Sequence, residues 1–303
     1  MEYNMLKRKK IILILLVWVC LFATQTHAQA QLTLLNYNTR YGFQGDRALM
    51  DKFVEWVNVI DPDIVAFQEM THFTQSDLEI LAKRYGHHYA VISKEYAHPV
   101  AITSRYPIVN IQKVTVNLWH GYIYGNIKGI HFFVTHLSPF DWESRKRDID
   151  MVLAHAKLLP VDAGKVIMGD LNALSPSDSA QYGELEVAMA KSEGRLEAVS
   201  GLSIVEGKTI HRNNLDDTKI DYSVVGEVLT NGFTDVIAHK HPDFQNSVPT
   251  ESVRKKSSFL RRIDYIFVND VLTPRIFKAE ILKDELTHRM SDHYPVLLKL
   301  SAD

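Results

Sequence analysis

A layered α/β fold is what this sequence predicts, and three observations predict it. Short apolar runs rich in β-branched and aromatic residues recur along the chain, among them residues 31–37, 64–67, 130–135 and 166–168. Helical stretches with one apolar face stand between several of them. Polar residues close the runs, with Asn38, Glu69, His136 and Asp170 each at a strand end, where packed sheets build their sites. A length of 303 residues suits a single large sandwich or layered α/β structure. Apolar content of 46% and charged content of 23% are ordinary for a globular chain, which excludes fibrous and disordered classes.

Taken in order, residues 31–37 (QLTLLNY) form the first strand, which ends in Asn38, Thr39 and Arg40. Gly42 and Gly45 break the chain, and Asp46 caps a helix whose Leu49, Phe53, Val57 and Ile60 share a face. Asp61-Pro62 stops that helix, and residues 64–67 make a buried strand closed by Gln68-Glu69. A helix follows over 77–85, with Leu78 and Leu81 as its apolar positions. Residues 89–93 and 100–103 read as paired strands, and the Ser104-Arg105-Tyr106-Pro107-Ile108 stretch as a turn. Residues 111–118 alternate loosely as a half-exposed strand, and 122–127 continue that antiparallel set. Residues 130–135 form another buried strand, with His136 at its end.

Residues 142–159 give the clearest helix, with Ile149, Val152, Ala156 and Leu159 on one face and Arg145, Lys146 and Arg147 assigned to solvent. Pro160 ends it and leads into KVIMGDLNALSPSD, residues 165–178. Val166 to Met168 suit a buried strand, and Gly169 allows a tight backbone. Asp170 and Asn172 are two apart on an extended strand end, so a carboxylate and a carboxamide point the same way. A helix is expected over 183–191, then polar loops with His211, Arg212 and Asn213. A strand over 220–225, a loop-rich stretch over 231–241 and a basic loop over 251–258 follow. Residues 263–268 form a strand with Asp264 early in its run, and 275–282 and 295–300 pair around Ser291-Asp292-His293. With no linker and no internal repeat, residues 31–303 read as one domain.

The first thirty residues differ. Lys7, Arg8, Lys9 and Lys10 precede an apolar run from Ile11 to about Ala23, and Ala28-Gln-Ala30 matches a small-x-small cleavage site. This pattern predicts a signal peptide over residues 1–30 and a secreted or periplasmic protein. The run is shorter than the roughly 20 residues a membrane span wants. Lipid anchoring at Cys20 is the lesser alternative, because the preceding Leu16-Val-Trp-Val lacks the small residues expected there. Removing these residues leaves 30 basic and 35 acidic side chains, a net charge of −5. Cys20 is the sole cysteine, so thiolate metal sites and cysteine nucleophiles are excluded from the mature chain.

The polar strand-end inventory is Asn38, Glu69, His136, Asp170, Asn172, Asp264, Asp292 and His293. Oxygen donors with imidazoles and no thiolate favour a hard cation, Mg²⁺ first and Mn²⁺ next, over zinc. Histidines suit proton transfer near neutral pH. Metal, base and amide donors together are what hydrolysis of a phosphate ester needs.

Leu35-Asn-Tyr-Asn38, Phe67-Gln-Glu69, Thr135-His136-Leu, Gly169-Asp-Leu-Asn172, Arg262-Ile-Asp264 and Ser291-Asp-His293 occur in this order. Each motif is weak alone; together they resemble the endonuclease/exonuclease/phosphatase superfamily across about residues 31–301. The resemblance implies a four-layer α/β sandwich, two mostly antiparallel sheets face to face with helices outside. It implies that Asn38 and Glu69 bind the divalent metal, with Asp292 as a further candidate ligand. It implies that His293, held by Asp264, acts as general base or phosphate-stabilising group. Asp170 and Asn172 would orient water and scissile phosphate, and His136 would donate a hydrogen bond or proton.

The implied partner is a phosphate-ester substrate: nucleic acid, a phospholipid headgroup or a small phosphorylated molecule. No obligate protein partner is evident, and a monomer is expected. Net acidity gives no support to a nucleic-acid face. A lipid substrate would want exposed apolar loop tips, for which the Trp119-His120 turn is the candidate against an ordinary exposed turn. Arg40 reads equally as a phosphate contact or a surface ion-pair partner, and Arg105 reads as structural. Tyr124 and Asn126 read as cleft-lining or as plain strand residues, and His211, His239 and His241 as surface histidines. A binding module without chemistry would show gaps among the site positions, and there are none.

Overall fold

The structure is a computed structural model that describes residues 32–191, 214–255 and 258–301. The segment expected to be a signal peptide, with Cys20, and the loop expected around His211, Arg212 and Asn213 lie outside the described residues.

Two six-stranded sheets carry the fold. The first runs β13-β14-β1-β2-β4-β3 and is built from β1 (Leu32–Asn38), β2 (Ile64–Gln68), β3 (Tyr89–Ile92), β4 (Ala101–Ser104), β13 (Ile276–Ile281) and β14 (Val296–Leu300). The second runs β11-β12-β8-β7-β6-β5. Its strands are β5 (Val109–Val114), β6 (Tyr122–Ile127), β7 (Ile130–His136), β8 (Lys165–Asp170), β11 (Phe233–Asp235) and β12 (Asp264–Asn269). Each sheet has one parallel pair at its centre, β1 with β2 and β7 with β8, and is otherwise antiparallel. A two-stranded ribbon, β9 (Leu215–Asp216) with β10 (Lys219–Ile220), stands apart.

Strand alternation sorts the apolar residues into layers. Leu34, Ile64 and Ile102 of the first sheet meet Phe132, Val134, Met168 and Ile266 of the second in a shared inner core. The opposite face of the first sheet, with Leu35, Tyr37 and Phe67, is covered by α1 (Arg47–Ile60) through Phe53, Trp56 and Val57, and by α2 (Gln75–Lys83) through Leu78 and Leu81. The outer face of the second sheet, with Phe133, Ile167, Tyr265 and Phe267, is covered by α3 (Trp142–Lys157) and α5 (Ser223–Thr230). Helix, sheet, sheet and helix make the four-layer sandwich. Asp46 caps α1 through Ala48 N, and Asp61 ends it in a left-handed conformation before Pro62, the start and stop read from the sequence. The helix over 183–191 is also present as α4 (Gly183–Lys191).

Four expectations fail, each for a physical reason. Arg145 is fully buried, not solvated: it lies one helical turn before Ile149 on the same face and donates to Ser138 O (3.2 Å) and Asn214 Oδ1 (2.9 Å). Burial lowers its guanidinium to about 10. The strand expected over 220–225 is instead the end of β10 followed by α5, because Asp221 accepts from Ser223 N and the Val224, Val225 and Val228 side chains bury one helical face. The stretch over 231–241 holds β11 and α6 (Val236–Lys240), the latter capped by Asp235. The strand expected over 111–118 starts at Val109 and stops at Val114, and a short helix, α7 (Thr287–Met290), precedes the Ser291-Asp-His293 stretch.

Candidate active site

The two sheets deliver their polar ends to one edge of the sandwich. Asn38 closes β1, Glu69 follows β2, and Asn38 pairs with Gln68 across the parallel register. His136 closes β7 beside Asp170 at the end of β8. Because β12 runs antiparallel to β8, its first residue, Asp264, lies opposite Asp170. β14 runs antiparallel to β1, so His293, just before it, returns to the end where Asn38 stands. Close approach of β7 and β8 requires Gly169: a Cβ there would lie 1.9 Å from Thr135 O.

Asn38 joins the two sheets. Its Nδ2 donates to Glu69 Oε1 (3.1 Å) and Asp170 Oδ2 (3.0 Å), and its Oδ1 accepts from Arg40 N (3.0 Å). Glu69 Oε2 accepts from Tyr41 N (3.0 Å). Asp170 Oδ1 accepts from Asn172 N (2.8 Å), and Asn172 Nδ2 lies 3.2 Å from both His136 Nε2 and Leu137 O. Glu69 and Asn172 both hold left-handed backbone, at φ 58° and 49°. For the glutamate this costs about 1–2 kcal/mol, strain of a kind that clusters at functional sites.

His293 Nδ1 and Asp264 Oδ2 are 2.8 Å apart, which leaves Nε2 facing Asp170 Oδ2 at 3.9 Å and Asp292 Oδ1 at 4.0 Å. Ser247 Oγ receives Asp264 N, and Ser291 Oγ donates to Asn38 O and receives His293 N, so both partners are braced. Burial works to lower the His293 pKa, but Asp264, then Asp170 and Asp292, override it and raise it well above the usual imidazole value. Burial raises Asp170 and Asp264 above the usual carboxylate range, with His293 opposing in each case. His136 is pushed down to about 4, chiefly by burial.

The eight polar strand-end residues therefore meet at this edge, with Asp292 at its margin: its side chain is 39% exposed and lies 3.8 Å from Arg40 Nε. Arg40 thus reaches an acid of the site. Arg105 pairs with Asp61 and is structural. Tyr124 lies in the outer core among Phe133 and His155, where its hydroxyl meets His131 Nδ1 (2.8 Å), not in the cleft.

The cleft, of about 100 Å³, is also lined by His98, Trp119, His120, Pro139 and Phe140. Sequence reasoning placed none of these in the site except as the open question over the Trp119-His120 turn. The structure divides that dipeptide. Trp119 is 42% exposed, and His120 is buried and stacked on His136 with ring centroids 3.8 Å apart and planes 3° apart. His98 and Phe140 carried no motif that could have marked them.

The family model described as Endonuclease/Exonuclease/phosphatase family matches residues 35–293. The chain belongs to that family, a family of metal-dependent phosphoesterases. The fold agrees with solved structures. An AP endonuclease from Archaeoglobus fulgidus is similar at TM-score 0.63 and 18% identity, over 88% of this chain and 98% of that one. A 3′ phosphatase from Neisseria, bound to a product DNA hairpin, is similar at TM-score 0.62 and 15% identity, over 89% of this chain and 99% of the other. Among curated proteins no sequence matches.

The donor chemistry fits the family's divalent cation. Among the described residues, Asp170, Asp264 and His293 form a buried group whose ligating atoms all lie within 4.8 Å of one another, and Asp264 Oδ1 is buried without a hydrogen-bond partner. Glu69 adds a carboxylate on the Asn38 side. Oxygen and imidazole donors without thiolate suit a hard ion.

Proposed function

We propose that this family member is a secreted or periplasmic, Mg²⁺-dependent phosphodiesterase of the endonuclease-like kind. One observation carries the reading: the Asp264-braced His293 faces Asp170 across 3.9 Å in a cleft that also presents Glu69, Asn172 and His136, while buried Asn38 bonds both Glu69 and Asp170. That is a proton donor opposite a proton acceptor, with amides to orient what lies between.

Glu69, with Asn38 and Asp292, would hold the ion on one side. A divalent cation there supplies charge stabilisation at the phosphoryl group and a more acidic water. The chain's own groups do the rest. Asp170 is held as a carboxylate acceptor by Asn38 Nδ2 and Asn172 N and takes the proton of the attacking water as its oxygen bonds phosphorus; the P–O bond to the leaving alcohol breaks, and that oxygen takes its proton from solvent. Asp264 keeps the proton of His293 on Nδ1, so that the imidazolium Nε2–H faces the cleft and donates to a phosphoryl oxygen. His136 is buried beside Asn172 and stays neutral at physiological pH, where it orients the carboxamide and hydrogen-bonds the substrate.

Supercoiled DNA, bis-p-nitrophenyl phosphate, p-nitrophenyl phosphate and sphingomyelin, each with Mg²⁺ or EDTA, test the reading. Diester cleavage that needs the metal and vanishes in His293→Ala supports it. Turnover of the monoester or the lipid alone moves the enzyme to that branch, and no turnover of any of them overturns the reading. N-terminal sequencing of protein from the periplasm or medium should begin at Gln31 if the leader is cleaved as expected; an intact N-terminus retained in the cytoplasm would exclude export.

A further inference from the structure

The cleft carries a feature that phosphate chemistry does not use. Trp119, in the turn between β5 and β6, leaves 42% of its surface exposed, and its ring meets half-buried Phe140 edge-on at 4.6 Å. Both rings line the same cleft as Asp170, Asn172 and His293. The turn is held in place: Lys94 Nζ donates to Trp119 O (2.8 Å), and the next residue, His120, is locked between His136 and His98. His120 Nδ1 lies 3.2 Å from His98 O. A large indole on a braced turn, left open beside reacting groups, is a rigid apolar face at little entropic cost.

Charge points the same way. Among the described residues, the cleft lining contains no lysine or arginine. A headgroup with several phosphates would find no lysine or arginine there, and His293 is taken up with the scissile phosphate. Selectivity for the rest of the substrate must therefore come from shape and apolar contact. Planar π-faces are the ligand that two aromatic rings recognise irrespective of base identity.

We propose that Trp119 and Phe140 form a stacking subsite for a planar group joined to the scissile phosphate, with a nucleobase as the occupant. This rests on the phosphoesterase reading above and names its substrate class. Stacking one base on an aromatic side chain is worth roughly five- to a hundredfold in affinity, so a tenfold effect is the scale to look for.

The experiment uses the full chain and two readouts. Calorimetry compares thymidine 5′-monophosphate with 2-deoxyribose 5-phosphate, which lacks the base. Kinetics with Mg²⁺ compares a dinucleoside monophosphate with the same diester made from base-free sugars. The expected result is a preference of at least about tenfold for the base-bearing member of each pair, carried by KM in the kinetic arm. Trp119→Ala and Phe140→Ala should each reduce that ratio severalfold, and Trp119→Phe should restore most of it. Equal binding of the paired ligands by the wild-type chain overturns the subsite, as does a ratio that survives Trp119→Ala. So does selective loss of sphingomyelin-vesicle binding in Trp119→Ala, which would make the turn a lipid contact. Base-selective binding without turnover of either diester would keep the subsite and overturn the hydrolytic reading; turnover without base preference would do the reverse.

Discussion

Two imidazoles line the cleft and are held in different surroundings. His293 is nearly enclosed, yet carboxylates on three sides hold its proton: Asp264 at 2.8 Å, Asp170 at 3.9 Å and Asp292 at 4.0 Å. His136 is as deeply buried, but its Nε2 meets the Asn172 amide at 3.2 Å with Asp170 Oδ2 further off at 3.5 Å, and its ring is stacked on another imidazole, His120, at 3.8 Å. Burial lowers it to about 4, and a charge on either ring of the stack would repel a charge on the other. The same side chain is thus set as a cation on one wall and a neutral donor or acceptor on the other. Burial is common to both, and so is Asp170, which lies 3.5 Å from His136 Nε2; what differs is a carboxylate at hydrogen-bond distance, which His293 has in Asp264.

His87, outside the site, isolates the burial effect. It is fully enclosed between Pro62 O (2.9 Å) and Thr103 Oγ1 (2.9 Å) and is also pushed down to about 4, chiefly by burial. His136 therefore behaves as an ordinary buried histidine, and His293 is the exception that its carboxylates create.

The sharpest break of the comparison is His293→Ala, for which kcat should fall by roughly a thousandfold, the scale of a lost charged donor at the phosphoryl group, while the chain remains folded by circular dichroism. An effect below tenfold would remove His293 from the chemistry. Next comes the support beneath Asp264. Arg262, two residues earlier, is buried with Asp178 (2.7 Å) and Asp235. Arg262→Ala leaves two buried carboxylates without their cation and should cost about 3–5 kcal/mol in urea unfolding.

His87 sharpens the baseline. Its folded pKa lies below its unfolded value of about 6.5, so the unfolded chain takes the proton first. The stability that neutral His87 provides is complete above pH 6.5 and is lost as pH falls toward about 4, by at most about 3 kcal/mol. Denaturant titrations of wild type and His87→Gln between pH 7.5 and 4.5 should show a shallower decline in the variant. Identical slopes would mean that His87 is not held neutral by the fold. The smallest expected effect is that of His120→Ala, which removes the stacked ring: kcat should drop by about tenfold as His136 loosens, with circular dichroism unchanged. His120→Phe, which keeps a ring on His136 without a second basic nitrogen, should recover most of it.

These outcomes also separate what was legible in the chain from what was not. Strands, the caps of α1 and the residues Asn38, Glu69, His136, Asp170, Asn172, Asp264 and His293 could be read in sequence because they follow local rules: period-two burial, capping side chains, and polar residues that close apolar runs. The strand expected over 220–225 failed because six residues do not separate alternation from a helical face, and burial of Val224, Val225 and Val228 on one helical face decides between them. Arg145 failed because its charge argued for solvent, while Asn214, 69 residues away, supplies the acceptor that lets it be buried.

The sequence by itself determined the layered α/β class and the inventory of carboxylates, amides and imidazoles. Tertiary structure decided which histidine hydrogen-bonds a carboxylate and which stacks on another histidine. It decided that Asn38 of one sheet bonds Asp170 of the other, and that Trp119 stands open while His120 beside it is buried. The physical reason is range. Capping and periodicity act over a few residues and are written in the chain, whereas protonation, desolvation and ring contact depend on neighbours that only the packing of two sheets brings within 4 Å.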